Sequence, residues 1–471
     1  MSEITHGMPL SFSDASPTAE DHPDRGELVP LEVTEDGLAL TLAAKYQDTL
    51  RYVNEWSTWL AWDGVIWKPE KTLKVFDLAR AVCREAAQAT EKQSVKSKLS
   101  QAATVTAVER MAKADRQLAA TADLWNGDPF QLNTMSGVID LTNGKMLSHN
   151  RANFHTKVCG CSASDKKPEL WLDFLKRVTG GDEELQAYLQ RMVGYCLTGD
   201  TREHALFFCY GTGANGKSVF TSALAGILGD YAKSTPVEVF TETRNEQHPC
   251  AVAALQSVRL ALTQETEKAS RFAEARLKQM TGGDKLTARY MHQNFFEFSP
   301  QFKVLIAGNH KPRLSSVDEA IRRRMHLVPF GVFIPPAERD PRLTEKLKAE
   351  WPAILGWAIQ GCLLWQKDGL QPPKTVLDAT DDYLSNEDRI GLWLKERCVM
   401  NRSFSAGSTA AFHDYKAWCE ELNEQAGSSR RFTQELLTRD GIGKKDTRDR
   451  KGFYGFCLKS DLPEDSRNYA D

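Results

Sequence analysis

The chain has 471 residues, of which 41% are hydrophobic and 26% charged, with a formal net charge of −3. That length exceeds one ordinary core and the composition is globular, so several domains are expected and a fibrous or wholly disordered chain is excluded. No apolar run approaches a membrane span and the start lacks a basic-then-apolar leader, so a cytoplasmic location is expected.

The charge is unevenly placed. Residues 1–36 hold nine acidic side chains and one basic one, Arg25, which leaves +5 on the remainder. With Pro, Ser and Gly and no hydrophobic period, this stretch is expected to be a disordered acidic tail. The positive remainder permits a polyanionic partner. The ten cysteines are scattered apart from Cys159-Gly160-Cys161. No second pair stands nearby, so buried reduced thiols are expected rather than a zinc site.

After the tail, Ala39 to Tyr46 reads as a short helix. Trp59 to Trp67 reads as a β-hairpin whose tip is a two-residue Asp63-Gly64 turn, its tryptophans core rather than a base-stacking platform. Helical, Ala- and Lys-rich sequence follows from Leu73 to about Ala122. Gly137 to Leu147 is a second hairpin with Asn143-Gly144 at its tip, and helices are expected over Leu170–Val178 and Glu183–Leu197.

His204 to Tyr210 reads as a buried strand, and Val219, Phe220, Ala223, Leu224, Ile227 and Leu228 repeat at helical spacing. Between them Gly211, Thr212, Gly213, Ala214, Asn215, Gly216, Lys217 and Ser218 match G-x-x-x-x-G-K-[ST]. In that setting the backbone amides through Val219 cradle a triphosphate, Lys217 neutralises its outer phosphates and the Ser218 hydroxyl joins Mg²⁺. ATP and Mg²⁺ are the expected ligands.

A second apolar strand, from Val258, ends in Gln264, Glu265, Thr266 and Glu267, carboxylates placed to hold Mg²⁺ and polarise water. A third, from Phe302, ends in Asn309, whose amide can orient that water. Arg322, Arg323 and Arg324 precede a fourth strand, and a guanidinium there can reach a γ-phosphate across a subunit boundary.

The ordered set of P-loop, Gln264 to Glu267, Lys278 to Asp284, Gly308 to Pro312 and Arg323 to Phe330 resembles the phage and plasmid primase-helicase family, from about Tyr46 to about Leu458. Its helicase part belongs to superfamily 3 within the AAA+ ATPases. The resemblance implies an α/β fold: an AAA+ P-loop core, an α+β N-terminal domain and a C-terminal winged-helix-like domain. It implies Glu265 as the Walker B carboxylate, Asn309 as sensor 1 and Arg323 or Arg324 as a finger acting in trans. Gln264 stands where an adjacent acidic pair is usual, and Glu267 supplies the second carboxylate. The expected segments are a tail over 1–36, an N-terminal domain over 37–165, the ATPase over 166–335, a helical lid or linker over 336–380 and the winged domain over 381–471.

Leu286 to Phe298 reads as a hairpin, which in this superfamily projects into a ring channel, so Arg289 and the tip at His292 to Asn294 become DNA candidates. Lys278 faces either DNA or a neighbouring subunit's nucleotide. Towards the end, helices are expected over Ile390–Cys398, Thr409–Leu422 and from a Ser428 cap, followed by a glycine-rich basic hairpin. Residues 428–451 carry eight basic and four acidic side chains, making Arg430, Arg431, Lys444 and Lys445 DNA candidates.

The expected function is an ATP-driven DNA helicase of phage, prophage or plasmid replication, a homo-hexameric ring on single-stranded or forked DNA. The alternative is an ATP-switched origin-binding or loading protein without processive unwinding. A P-loop small-molecule kinase fits the long N-terminal region and basic C-terminal region less well. Neither a zinc ribbon nor a clustered-carboxylate polymerase motif is found, so priming is expected from a separate polypeptide.

Overall fold

The structure is a computed structural model that describes residues 33–242, 249–264, 271–291, 294–314, 317–422, 424, 426–445 and 451–462. Thr34 caps α1 (Glu35–Tyr46) by accepting from the Gly37 N–H, with Glu35 and Asp36 in the first turn, where carboxylates favour the free amides. The helix therefore starts before Ala39 and takes the last two residues of the expected tail.

The N-terminal sheet has the order β3-β2-β1-β4, from β1 (Leu50–Val53), β2 (Thr58–Trp62), β3 (Trp67–Pro69) and β4 (Ala119–Ala120). The long helical stretch resolves into α2 (Lys74–Ala89), α3 (Gln93–Leu99) and α4 (Ala102–Ala112). Trp59 packs under these helices, and Trp67 and Trp125 share a second apolar cluster with Val53 and Leu60. The tryptophans are core. Trp62 pairs with Trp67, so the first hairpin loop has four residues rather than two. In the sheet of β5 (Gln131–Asn133), β6 (Val138–Asp140) and β7 (Lys145–Leu147), Asp140 pairs with Lys145, so the second hairpin also has a four-residue loop, and it holds the expected Asn143-Gly144.

After α5 (Glu169–Val178) and α6 (Glu183–Leu197) comes a five-stranded parallel sheet. Its strands are β8 (Leu206–Tyr210), β9 (Ala232–Ser234), β10 (Leu260–Gln264), β13 (Lys303–Gly308) and β14 (Met325–Pro329), in the order β14-β8-β13-β10-β9. β8 and β13 are apolar along almost their whole length because helices cover both faces of a parallel sheet. Between them in sequence lie α7 (Lys217–Leu228), α8 (Pro249–Ala253), α9 (Glu274–Gly282) and the antiparallel hairpin of β11 (Leu286–Arg289) and β12 (Phe295–Phe298). A short α10 (Glu319–Arg322) leads into β14.

One face of this sheet packs on α7, α5, α6 and α12 (Trp351–Asp368), in a cluster that also takes in Leu132, Ile139, Leu141 and Cys159 from upstream. α6 and α12 meet closely: a Cβ on Gly194 would lie 2.1 Å from the Cys362 nitrogen, and one on Gly361 would lie 2.0 Å from the Gln190 carbonyl oxygen. The segment expected as a lid or linker thus holds a core helix, flanked by α11 (Leu343–Lys348) and α13 (Lys374–Glu387). The other sheet face packs against α9, the β11–β12 hairpin and Tyr383 and Leu384 of α13.

The C-terminal unit has its own core of α14 (Arg389–Arg397), β15 (Cys398–Gly407), α15 (Ser408–Glu421), α16 (Ser429–Leu436), β16 (Gly443–Lys444) and β17 (Gly452–Leu458). The strands form an antiparallel sheet, β15-β17-β16. Ser428 caps α16 through the Arg431 N–H, as its position predicts. β15 is an addition to the expected order of three helices and a hairpin.

Candidate nucleotide site and nucleic-acid surfaces

The glycine loop leaves the C-terminal end of β8 and enters α7, the setting its spacing predicts. Gly213, Ala214 and Gly216 all have positive φ (100°, 50° and 87°), with Ala214 a non-glycine held in the left-handed region. Gly211 is needed for closeness: a Cβ there would sit 2.3 Å from the Phe330 carbonyl oxygen, whereas one on Gly213 would meet nothing within 4 Å. The loop is braced from β14's exit, where Asn215 Nδ2 donates to the Phe330 carbonyl at 2.9 Å and the Ile334 N–H donates to the Ala214 carbonyl at 2.9 Å. Thr212, Ala214 and Ser218 are exposed and Val219 is half-buried against the core.

Lys217 is 6% exposed. Its ammonium donates to the Gly211 carbonyl at 2.8 Å, Asn215 Oδ1 at 3.1 Å and Asn309 Oδ1 at 3.1 Å, and burial draws its pKa down. Three neutral oxygens are weak partners for a buried cation, so an anion with more charge is favoured there. Asn309 arrives because β13 is β8's parallel neighbour, with Gly308 opposite Tyr210. These residues fit a triphosphate with Mg²⁺: the amides of the loop, Lys217, and Ser218 at the metal. Glu265 and Glu267 lie outside the described residues; β10 carries the chain to Gln264, opposite Ala307.

The three arginines separate. Arg322 is ion-paired with Asp381 at 3.0 Å. Arg324 is 8% exposed and turned inward, its Nε donating to Thr281 Oγ1 at 3.1 Å and its terminal nitrogen to the Ala320 carbonyl at 2.8 Å. Arg323 is exposed, and its guanidinium has no ion pair or hydrogen bond among the described residues. Lys278 pairs with Asp318, the N-cap of α10. Burial pushes the Asp318 carboxyl up, but Lys278 and the Ile321 N–H outweigh it and hold the group low.

On the hairpin, Arg289 lies over the ring of its cross-strand partner Phe295, 4.8 Å from the centroid. Phe295 and Met291 are well exposed. His292 lies outside the described residues, and Asn294 is exposed beside it. In the C-terminal unit Arg430, Lys444 and Lys445 are exposed, Lys445 reaching Ser405 Oγ at 3.2 Å. Arg431 instead pairs with Glu435 at 2.7 Å and lies near Glu274 and Glu242 of the body that carries the five-stranded sheet.

Two groups had no role in the sequence reading. Lys311 sits 4.1 Å from the centroid of the Tyr210 ring, just before the glycine loop, and burial lowers its pKa. Arg313 pairs with Glu424, which also pairs with Arg389 at 2.9 Å. The position of Lys311 after Gly308-Asn309 was a signal; the Arg313 pairing crosses 111 residues and had none.

Residues 39–180 match the family described as "D5 N terminal like", and residues 209–324 match a family of unknown function, DUF5906. A protein of Acanthamoeba polyphaga mimivirus named "Putative helicase" is 30% identical over 233 residues, 45% of this chain and 24% of that protein. A protein of the same printed description in Frog virus 3 is 25% identical over 310 residues, 60% of this chain and 31% of its own length. The "Primase D5" of fowlpox virus is 25% identical over 219 residues, 43% of this chain and 27% of its own. The chain thus spans about a quarter to a third of these relatives' lengths. Among solved structures, the apo NrS-1 C-terminal region overlays with a TM-score of 0.46 at 8% identity, covering 89% of this chain and 99% of that one. That is a loose likeness in the course of the chain and says nothing of chemistry. These matches relate the chain to the phage and viral primase-helicase proteins, through a D5 N-terminal-like segment and helicase- and primase-named relatives.

Proposed function

We propose that the chain is an ATP-dependent DNA helicase of superfamily 3. The observation that carries this is the meeting of Lys217, which opens α7 after the glycine loop, with Asn309, which follows the adjacent parallel strand β13. The strand order β14-β8-β13-β10-β9 is the one an AAA+ core would have, with the glycine loop after the second strand in that order. The C-terminal unit, with three helices and a three-stranded sheet, supports a winged-helix reading.

In this reading Ser218, with Glu265, would hold a Mg²⁺ that would supply charge neutralisation at the phosphates. Lys217 leaves its neutral oxygens for the outer phosphates. Asn309 would orient the attacking water, and Glu265 and Glu267 would divide metal holding and water activation between them. Arg323 is the finger, since Arg322 and Arg324 are committed within their own subunit. A guanidinium that is exposed and uncommitted within its own subunit is available to a neighbour's nucleotide, which supports a homo-oligomeric ring; six subunits is the number proposed. The β11–β12 hairpin and the basic C-terminal surface would touch DNA.

Repeated turnover matters energetically. Separating about 20 base pairs at roughly 1.4 kcal/mol per stacked step takes roughly 28 kcal/mol. Non-covalent binding saturates near about −20 kcal/mol, so a static binder falls short. The test is ATP hydrolysis by purified protein with and without single-stranded DNA. DNA-stimulated turnover supports the helicase. ATP binding without turnover favours the loading switch, and neither reading survives a chain that does not bind ATP.

A further inference from the structure

Asn309 and Leu314 bracket a short loop whose two ends do different things. At one end Asn309 touches Lys217. At the other, the Pro312 carbonyl accepts from the Tyr383 hydroxyl, and the Leu314 N–H donates to Glu387 Oε2 at 2.9 Å. Between them Arg313 pairs with Glu424 of the C-terminal unit, which pairs in turn with Arg389 at 2.9 Å. The Arg313 carbonyl also accepts from the Phe272 N–H at 2.9 Å, which ties the loop to the segment leading into α9.

The helix α16 borders the same junction. Phe432 and Leu436 point into their own core. The opposite face, with Arg431, Gln434, Glu435 and Thr438, lines a cleft of about 280 Å³ whose other wall includes Arg271, Leu314 and Asp318. A helix entering a DNA groove needs that outward face clear, because a major groove of about 12 Å admits a helix and little else.

We propose that the 309–314 loop is a nucleotide-responsive latch that keeps the α16 face docked on the ATPase body until triphosphate draws Lys217 away from Asn309. The proposal rests on the ATP and DNA readings above and adds the regulation of one by the other. When Lys217 turns to phosphate, Asn309 loses its charged donor and the loop shifts. The Arg313–Glu424–Arg389 bridge then opens, and α16 is released. A ligand moves such an equilibrium only by preferring one state, so the latch must also weaken ATP binding while closed.

The test uses the full chain and a fluorescently labelled forked duplex, titrated with and without a non-hydrolysable ATP analogue, for wild type and Glu424→Gln. The wild type is expected to bind DNA roughly fivefold or more tightly with the analogue than without it, the lower end of ordinary coupling. Glu424→Gln is expected to bind at the tighter level in both conditions and to bind the analogue itself more tightly by the same factor. A variant with wild-type affinities and unchanged nucleotide dependence overturns the latch. Arg313→Met serves as the second variant if Glu424→Gln does not fold. Hydrogen exchange over residues 429–439 gives a readout independent of DNA: analogue binding without increased exchange there also overturns it. If the wild type binds the analogue but no DNA, the DNA reading fails while exchange still decides the latch. If it binds no analogue, both fail together.

Discussion

The Asn309 amide oxygen lies 3.1 Å from Lys217 Nζ, although one residue follows β13 and the other opens α7 after β8 and its glycine loop. Each holds the other in place: Lys217 has only neutral oxygens around it, and Asn309 is the contribution of the neighbouring strand. Replacing Lys217 with Met removes a cation that is nearly buried without a carboxylate. ATP turnover is expected to fall at least about a hundredfold, the usual loss for a pre-placed charge at a reacting phosphate. The melting temperature is expected not to fall, because the variant no longer desolvates an ammonium. Steady-state ATPase assays and thermal melts check the two halves separately.

The arginines make a sharper comparison. Arg324→Ala removes two inward hydrogen bonds and leaves Thr281 short of a donor, so a loss of about 1–3 kcal/mol in stability is expected. Arg322→Ala breaks one exposed pair and is expected to change stability by less than about 1 kcal/mol. Arg323→Ala is expected to melt as the wild type does yet lose most of its ATPase activity. Mixed with Lys217→Met protein, it is expected to regain part of it, since some interfaces then pair an intact finger with an intact loop. Mixing experiments that recover nothing at any ratio count against a site shared between subunits.

The sequence carried local chemistry well and three-dimensional choice poorly. The glycine loop was legible because its whole pattern lies within eight consecutive positions of chain. The choice among Arg322, Arg323 and Arg324 was not, because Asp381 and Thr281, which commit two of them, lie 59 and 43 residues away. The first turn assignment fell short, and the second loop, which does hold Asn143-Gly144, is of the same length for the same reason. Ile66 and Leu141, read as strand residues beside tight turns, are buried in the core, and each loop lengthens to four residues to deliver them. β15 escaped because its register breaks between Asn401 and Ser405 and its middle is polar, so no two-residue period survives.

Acid should weaken the fold in a defined window. Burial, then nearby Arg259, draws the His155 pKa from 6.5 down to about 4, and burial does the same to His326. Between these values the unfolded chain binds protons that the folded one refuses, so stability rises with pH there. It is fully present above about pH 6.5 and drains away as pH falls towards about 4. Denaturant midpoints across this range are expected to show the slope, and His155→Gln to flatten it. An unchanged slope in that variant contradicts the assignment to His155.

The α6–α12 crossing tolerates no added bulk. Gly361→Ala places a methyl group where the Gln190 carbonyl stands, 2.0 Å away, so the helices must separate. A destabilisation of about 1–3 kcal/mol is expected, the range for overpacking a close contact. Chemical denaturation measures it. The same substitution at Gly213, whose Cβ meets nothing, is expected to act through its positive φ and through nucleotide affinity instead.

The most direct measurement is strand separation: a forked duplex, the purified chain and Mg·ATP, with displaced strand followed over time. The account predicts separation that needs hydrolysis, stops with a non-hydrolysable analogue and is missing from Lys217→Met protein. Strand separation that proceeds equally in that variant, or steady ATP turnover on forked DNA with no strand released, would contradict it.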